Sequence, residues 1–419
     1  MEQLFISKLE IKKVRHLKDI SISLSKDCRK HLILTGCNGS GKTSVLEDLA
    51  RHLNSIATAQ EEIESTRNAL QFWENELENL RREEKKNTRR VEAEKNCSFC
   101  KEQLLRLQGG VSVEINRPVG EVRYAFDKGE FILGYYKAER VFQAEVPKHI
   151  EKMELKENYA ITENPCQKFI KYLADRQVTA ALAKNRGNIE KADNINSWFS
   201  SLQDLLKNIF DDDSLQLIFD EDTYNFKIKQ KNREPFDFNT MSSGFSAVWD
   251  IISDLILKME KTTNRSFIFD VPGIVLIDEI ETHLHLKMQK NILKILTAVF
   301  PNIQFIVSTH SPFILNSKEG AVIYDLEKRL FVKDGLSNVP YGGIVEGYFN
   351  ASELSYDLEE KFRRFKELIG QKALSDDELE EIADLELYLD EIPDYLALNL
   401  TTEYQRLKLE FEKRGDIGW

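Results

Sequence analysis

The pattern of apolar and polar positions predicts strands near the start of the chain. Residues 4–11 and 20–24 alternate apolar with polar side chains, which is typical of strands with one solvated face. An uninterrupted apolar run at 31–35 predicts a buried strand. Val45 and Leu49 then lie at helical spacing. The chain is therefore predicted to begin as three strands followed by a helix.

A narrow apolar seam follows that helix. Its apolar residues recur every seven positions among charges, as Ile56, Ile63, Leu70 and Leu77. This spacing predicts one helix from Ser44 to about Glu84, about 60 Å long at 1.5 Å per residue. A returning helix that ends at Gly109 and Gly110 would complete a short helical hairpin, inserted into a larger domain.

Further along the chain, stretches of strand-like and helix-like pattern alternate. Strands are predicted at 111–115, 121–126, 131–136, 215–219 and 224–228. Helices are predicted between 163 and 210, and again in the C-terminal stretch 351–419.

The loop after the buried strand at 31–35 carries closely spaced glycines. Residues 36–43 fit G-x-x-x-x-G-K-[ST], in which backbone amides and a helix N-terminus cradle phosphate. The candidate nucleotide contacts are Gly36, Asn38, Gly39, Ser40, Gly41, Lys42, Thr43 and Ser44. Lys42 would reach the β- and γ-phosphates, and the Thr43 hydroxyl would bind Mg²⁺. Arg15, between the first two strands, would either touch the nucleotide or remain a solvated turn charge.

Two later buried strands end in polar residues. Asp278 and Glu279 follow the apolar run 273–277, and His310 follows the run that begins at Ile303. Ligands of open α/β sheets bind at the carboxyl ends of parallel strands. Asp278 would hold Mg²⁺ through water, Glu279 would orient or deprotonate the attacking water, and His310 would sense the γ-phosphate. Helix-capping carboxylates and a structural histidine are the alternatives, and the phosphate loop upstream makes them the weaker ones.

Ser242, Ser243 and Gly244 precede an apolar helix. In isolation this signal is weak, because such residues usually form a helix-capping turn. A helix N-terminus with hydroxyls and a glycine is also an anion site. Their position between the phosphate loop and Asp278 favours the second interpretation.

These four segments, in this order, resemble the ABC-type ATPases, and more narrowly their SMC/RecF/OLD-like branch. The resemblance spans about residues 3–345 and implies that ATP joins two heads, with Ser242, Ser243 and Gly244 acting on the partner's nucleotide. Residues 281–285 occupy the position of the dimer-contacting D-loop. Gln143, with Glu139 and Arg140, is the candidate for the loop whose glutamine binds Mg²⁺ or water. Phe245 departs from the family pattern, which usually has Glu or Gln there.

Finer details resemble the ATPases of prokaryotic antiphage defence systems. They are the pair Glu281 and His285, and the run Thr309, His310, Ser311 and Pro312. The most similar type is the PtuA-type ATPase of Septu systems, and this resemblance implies a nuclease partner. OLD-like proteins carry a nuclease domain after the head, but the residues after His310 show no such acidic arrangement. We therefore expect this chain to cut nothing itself.

The predicted fold class is α/β. It is an ABC-type ATPase head of the P-loop NTPase kind, with a mixed or parallel sheet core and an antiparallel β lobe. The predicted domains are head residues 1–54, a helical or coiled-coil hairpin at 55–110, head residues 111–350, and an acidic helical region at 351–419. The acidic region would be either a helical cap on the head or a docking surface for a partner.

The charge distribution limits the function classes. The formal net charge is −12, and residues 351–419 contain 19 acidic against 9 basic residues. The rest of the chain is thus nearly neutral, which leaves binding of DNA or another nucleic acid open. No apolar run is long enough to span a membrane, so no membrane partner is expected.

The five cysteines are scattered, and the chain starts without a signal-peptide pattern. Both features predict reduced thiols in the cytoplasm. Cys97 and Cys100 form a single C-x-x-C pair. They are either plain thiols or half of a zinc site shared with a second chain.

The predicted function is a slow, regulatory ATPase that uses ATP and Mg²⁺. It would form ATP-sandwiched homodimers or higher oligomers and control a separate effector, a nuclease, in antiphage defence. The alternative is a DNA-repair or chromosome-maintenance ATPase that acts directly on DNA. A transporter subunit is less favoured, because a long helical insertion follows the phosphate-loop helix directly. A scaffold that binds ATP and hydrolyses it very slowly is a further class.

Overall fold

A computed structural model describes residues 4–82, 87–348, 356–371, 373–391 and 398–413. It forms two compact units, Met1–Asn338 and Val339–Trp419. The strands are β1 (Ile6–Val14), β2 (Leu17–Ser23), β3 (Leu32–Thr35), β4 (Val111–Ile115), β5 (Ile132–Tyr136), β6 (Gln216–Asp220), β7 (Asn225–Lys229), β8 (Phe236–Asp237), β9 (Gly273–Ile277), β10 (Ile303–Ser308), β11 (Val322–Asp325) and β12 (Leu330–Val332).

Helices cover most of the remaining described residues. They are α1 (Lys42–Thr58), α2 (Gln60–Arg82), α3 (Asn87–Gln108), α4 (Val119–Asp127), α5 (Phe169–Asn185), α6 (Ile189–Phe210), α7 (Ser243–Glu260), α8 (Leu286–Val299), α9 (Pro312–Leu315), α10 (Tyr341–Gly343), α11 (Tyr356–Ile369), α12 (Asp376–Asp390) and α13 (Leu398–Glu412). Within the described ranges, no helix is both long and apolar enough to cross a membrane.

The central sheet has six strands in the order β12-β11-β3-β10-β9-β5. All neighbours pair in parallel except β12, which runs antiparallel to β11. Ser308 pairs with Leu34, and Val307 pairs with Ile277. The carboxyl ends of β3, β9 and β10 therefore lie side by side at one edge of the sheet.

An antiparallel lobe of β2, β1 and β4 packs with α1 and the central sheet. The shared core is apolar and fully buried, and it includes Leu9, Ile22, Leu49, Leu276 and Ile306. Burial of such side chains is the main favourable term in folding. The predicted fold class, a head with a mixed sheet and an antiparallel lobe, is confirmed. A third, small sheet of β6, β7 and β8 is also antiparallel.

The arm differs from the single helix that the seam predicts. The helix breaks at Ala59, where φ is −122° and ψ is 19°. Ile56 and Ala57 are buried in the head core just before this point, so α1 ends where the chain leaves the head. The predicted end near Glu84 lies outside the described residues.

The hairpin buries the two closely spaced thiols. Cys97 and Cys100 lie on α3 among the buried positions of the arm, and both are free cysteines. Burial raises the pKa of the Cys97 thiol, which favours the protonated form. Across the hairpin, Lys101 of α3 forms an ion pair with Glu74 of α2 at 2.9 Å.

The strand predicted at 121–126 is wrong, because these residues belong to α4. Val122, Tyr124 and Phe126 are large apolar residues at every second position, which imitates a strand. In the structure Val122 and Phe126 are buried on one helical face, whereas Tyr124 is exposed. Pro118 immediately precedes α4, a position where proline does not interrupt helical hydrogen bonding.

The C-terminal unit has its own small core. Helices α11, α12 and α13 bury a cluster that includes Phe365, Leu389 and Tyr404. Ser375 caps α12 in a reciprocal capping box with Glu378. The domain boundary predicted after residue 350 lies outside the described residues.

Replacing Gly110 by alanine is expected to destabilise the head. A Cβ at Gly110 would lie 1.8 Å from the carbonyl oxygen of Lys13. The Gly110 amide also donates to the Asp48 carboxylate at 2.7 Å, which ties the end of the arm to α1. We expect Gly110→Ala to cost about 1–3 kcal/mol or more, measured as a lowered midpoint of urea unfolding. Gly120→Ala is the matched control, since nothing lies within 4 Å of its Cβ position.

Candidate nucleotide-binding site

The loop between β3 and α1 has a backbone that requires glycine. Gly36 and Gly41 have φ values of +135° and +96°, which lie in the left-handed region. A Cβ on Gly36 would lie 2.9 Å from Ser40 Oγ, and one on Gly41 would lie 3.0 Å from Leu17 Cδ1. The loop is therefore compact, and it leads directly into the N-terminus of α1, a position that favours anions.

Lys42 is buried at the centre of this loop. It is 5% exposed, and its Nζ donates to the carbonyl oxygens of Gly36 at 2.9 Å and Cys37 at 3.1 Å. Burial lowers the pKa of Lys42. Three nearby carboxylates oppose this shift, those of Glu279, Glu281 and Asp278. The structure thus places the cation of the loop beside the acidic residues that follow β9.

The two carboxylates after β9 are held by the end of β10. Asp278 is 2% exposed, and its Oδ1 accepts a hydrogen bond from Ser308 Oγ at 2.5 Å. The Glu279 amide donates to the same Oγ at 2.7 Å. Glu279 itself is half-buried and has a φ of +42°. Ser308 is a site residue that was not predicted from the sequence, although a polar residue at the end of a buried parallel strand is a usable signal.

Arg140 fixes the backbone that carries these carboxylates. Its buried guanidinium donates to the carbonyl oxygens of Asp278 at 2.6 Å and Glu279 at 3.0 Å, and also to that of Lys137 at 2.6 Å. Burial lowers the pKa of Arg140. These hydrogen bonds show that Arg140 holds the main chain of Asp278 and Glu279. From the sequence it was predicted only as a member of the loop that contains Gln143.

His310 lies beside the same carboxylates. Its backbone amide donates to the carboxylate of Glu281, and the Thr309 amide donates to the carbonyl of Leu34 at 3.0 Å. Burial and the charge of Lys42 both lower the pKa of His310. The imidazole is therefore neutral at neutral pH and able to donate or accept one hydrogen bond at each nitrogen.

Ser242 and Ser243 lie at the start of α7 with exposed side chains. Ser242 is the N-cap residue, but its hydroxyl makes no capping hydrogen bond. Gly244 is buried, and a Cβ there would lie 2.7 Å from the carbonyl oxygen of His283. The serine segment therefore packs closely against the 281–285 segment that follows Glu279.

In the folded chain, Arg15 lies close to the phosphate loop. It is exposed in the turn between β1 and β2, with φ of +51°. The following residues His16 and Leu17 are the neighbours that a Cβ on Gly41 would meet. The turn thus covers the N-terminus of α1, and contact of Arg15 with a nucleotide stays a prediction.

Several known proteins are similar to this chain. The family model "AAA domain, putative AbiEii toxin, Type IV TA system" matches residues 157–316. The Septu protein PtuA of Bacillus mycoides (strain KBAB4) is 28% identical over 97% of this chain and 53% of its own length. The "Retron Ec83 probable ATPase" of Escherichia coli is 29% identical over 45% of this chain and 34% of its own. An Smc head bound to the C-winged helix domain of ScpA covers 80% of this chain and all of its own, with a TM-score of 0.38 and 13% identity.

The chain is thus similar in sequence to a Septu protein and to a probable ATPase of a retron. It spans about half the length of the Septu relative, 53%. In this head, the strand ends of one sheet bring together the phosphate loop, Asp278, Glu279 and His310, which lie far apart in the sequence.

Gln143 lies in the segment after β5. The side chain is exposed, and the two neighbouring amides are fixed. Phe142 N donates to Ser246 Oγ at 2.8 Å, and Ala144 N donates to Asn239 Oδ1 at 2.8 Å. The segment is thereby attached to residues on both sides of Ser242, and the metal-binding role of Gln143 stays a prediction.

The unusual Phe245 has a structural partner. Its ring stacks on Phe210, at the end of α6, with centroids 4.0 Å apart and an interplanar angle of 16°. The residue that departs from the family pattern therefore joins α7 to the neighbouring helix α6, where aromatic stacking adds to apolar burial.

Replacing Arg140 by lysine is expected to separate hydrolysis from binding. A lysine cannot reproduce the planar fork that holds the carbonyls of Asp278 and Glu279. We expect ATP hydrolysis to fall at least tenfold, about 1.4 kcal/mol, while the dissociation constant for ATP changes less than about threefold. The exposed Arg186→Lys is the control. An unchanged hydrolysis rate, or an equal loss of affinity, would show that Arg140 does not position the carboxylates.

Proposed function

We propose that this chain binds ATP with Mg²⁺ and hydrolyses it. The observation that carries the proposal is the meeting of the phosphate loop with Asp278, Glu279 and His310 at one sheet edge. The loop residues Gly36, Asn38, Gly39, Ser40, Gly41, Lys42, Thr43 and Ser44 would hold the phosphates. Arg15 would touch the nucleotide from the β1–β2 turn.

Mg²⁺ would be held by Thr43, Asp278 and Gln143. The residues fit a hard cation, because carboxylate, hydroxyl and amide oxygens are its preferred ligands. The Oδ1 of Asp278 accepts the hydrogen bond from Ser308, which leaves its other oxygen for a metal-bound water. The ion would supply charge neutralisation on the phosphates.

Glu279 and His310 would carry the catalytic roles. Glu279 is half-buried, and its Oε2 accepts only a long 3.4 Å hydrogen bond from Thr282, so it is available to orient or deprotonate water. The neutral imidazole of His310, near Lys42, would hydrogen-bond a γ-phosphate oxygen. Both assignments follow from where the strands end.

We infer that ATP joins two heads. In this arrangement Ser242, Ser243 and Gly244 of one copy contact the nucleotide held by the other copy. The two exposed hydroxyls at the start of α7, neither of them used for capping, support this role. Because Gly244 packs on His283, the segment 281–285 would lie at the same contact.

The dimer would act as a slow, regulatory switch for a separate effector, a nuclease, in antiphage defence. Similarity to a Septu protein over 97% of the chain supports this assignment. The acidic C-terminal unit offers a docking surface for such a partner. The acidic C-terminal region, with 19 acidic against 9 basic residues at 351–419, favours this function over direct action on DNA, whose phosphates attract basic surfaces.

Replacing Glu279 by glutamine is expected to preserve ATP binding and stop hydrolysis. Loss of a general base typically costs about 100-fold or more in rate. The variant should accumulate as ATP-bound dimers, detected as doubled mass by light scattering after gel filtration with ATP and Mg²⁺. The exposed Glu130→Gln should hydrolyse ATP normally. A Glu279→Gln chain that turns over ATP at the wild-type rate would refute the assignment.

Mixing two inactive variants tests whether the serine segment acts on the partner's nucleotide. Lys42→Ala disables the phosphate loop, and Ser243→Arg blocks the exposed serine segment. Mixed dimers contain one intact site, so an equimolar mixture should recover up to about a quarter of the wild-type rate.

The control mixture combines Lys42→Ala with Glu279→Gln. Both lesions lie in the same half of the site, so neither site of a mixed dimer is intact and no activity should return. Recovery in the control, or none in the first mixture, would contradict action between copies.

A further inference from the structure

A second polar cavity lies away from the phosphate loop. It has a volume of about 860 Å³ and is bounded by α5, α6 and the turn that follows α7. Small-molecule sites commonly have volumes of 300–1,000 Å³. A neighbouring cavity of about 520 Å³ shares Lys152, Asn264 and Arg265 with it. Together they form a cleft on the helical side of the head.

Cations dominate the lining of this cavity. Lys152, Arg176, Lys191 and Arg265 line it, against only two acidic residues, Asp175 and Glu190. Asp175 is already engaged, because its Oδ2 accepts from the Met153 amide at 3.2 Å and lies 3.8 Å from Arg265 Nη1. The side chains that line the cavity therefore carry a net positive charge, which the buried carboxylate of Glu260 behind Arg176 and Arg265 offsets in part.

Arg176 is the deepest of these cations. It is 5% exposed, and its guanidinium lies 4.9 Å from the ring centroid of Trp198. Its Nη2 donates to the carbonyl of Arg265 at 3.2 Å, whereas Nε is buried without a hydrogen-bond partner among the described residues. A buried, unpaired donor on a cation is costly unless an acceptor pairs with it. An anion in the cavity would supply that acceptor.

The wall of the cavity is continuous with the end of α7. The Arg265 amide donates to the carbonyl of Glu260 at 2.8 Å. The Glu260 carboxylate accepts from Trp198 Nε1 at 2.9 Å and from the Tyr172 hydroxyl. Glu260 therefore holds together the aromatic residues on which Arg176 packs. The cavity is built on one end of α7, and Ser242 begins the other.

We propose that this cavity binds a small molecule that carries two or more linked phosphate groups. Guanidinium groups bind phosphate oxygens in pairs, and lysines add point charges. Arg176 would bind one phosphate at the floor, and Lys152 and Lys191 would neutralise a second at the rim. This site is separate from the phosphate loop and does not depend on ATP hydrolysis.

The test uses inorganic pyrophosphate as the probe, titrated into the full chain by calorimetry at fixed ionic strength. All proteins carry Lys42→Ala, which removes the lysine of the phosphate loop. The test variant adds Lys152→Glu and Lys191→Glu. The control adds Lys184→Glu and Lys231→Glu, two exposed lysines that do not line the cavity, so its net charge changes equally.

We expect pyrophosphate to bind the Lys42→Ala chain and the control with similar affinity, and the cavity variant at least tenfold more weakly. Arg176→Lys keeps the positive charge but removes the planar guanidinium group that binds phosphate oxygens in pairs, so it should also lower the affinity for pyrophosphate. Equal weakening in cavity variant and control would show unspecific attraction and overturn the proposal. So would the absence of pyrophosphate binding to the Lys42→Ala chain.

Discussion

Parallel pairing of β3, β10 and β9 is the constraint on which the rest of this structure depends. Parallel strands end at the same edge of a sheet, so residues that are distant in sequence meet there. The register pairs Ser308 with Leu34 and Val307 with Ile277. The phosphate loop, the two carboxylates and His310 are neighbours for this reason. The buried apolar faces of the strands hold that alignment.

Buried polar side chains then fix the main chain around this edge. Arg140 holds the carbonyls after β9, and Asp48 holds Gly110 at the base of the arm. Gln304 is fully buried and joins the lobe to the sheet. Its side-chain oxygen accepts from the Ile6 amide, and its side-chain nitrogen donates to the carbonyl oxygens of Ile6 and Lys30. Satisfied buried polar groups of this kind select one arrangement of the backbone.

A buried ion pair within α7 includes the carboxylate through which this helix contacts β5. Asp254 and Lys258 pair at 2.9 Å with almost no exposure, and the Tyr136 hydroxyl donates to Asp254. Burial raises the pKa of Asp254 to about 6. Removal of one partner would leave an uncompensated buried charge, which is strongly unfavourable. The helix that begins at Ser242 is thus joined to β5, next to the segment that contains Arg140.

The sequence by itself determined the phosphate loop, the carboxylates after β9 and the fold class. These signals are local, since a strand, a turn and a helix follow one another within a few residues. At 121–126 the sequence fits both a strand and a helix. Apolar residues at every second position suit a strand, whereas Val122 and Phe126 also have the spacing of one helical face, and their burial there selects the helix. The break at Ala59 also depends on where the core ends.

Only the tertiary structure showed how Arg140 and Ser308 act on Asp278 and Glu279. Their contacts join residues far apart in the chain, and no spacing in the sequence encodes such a contact. The roles of the site residues toward nucleotide and metal stay predictions. The physical reason is the same throughout. Short-range patterns follow from backbone geometry, whereas contacts between elements follow from how buried faces pack.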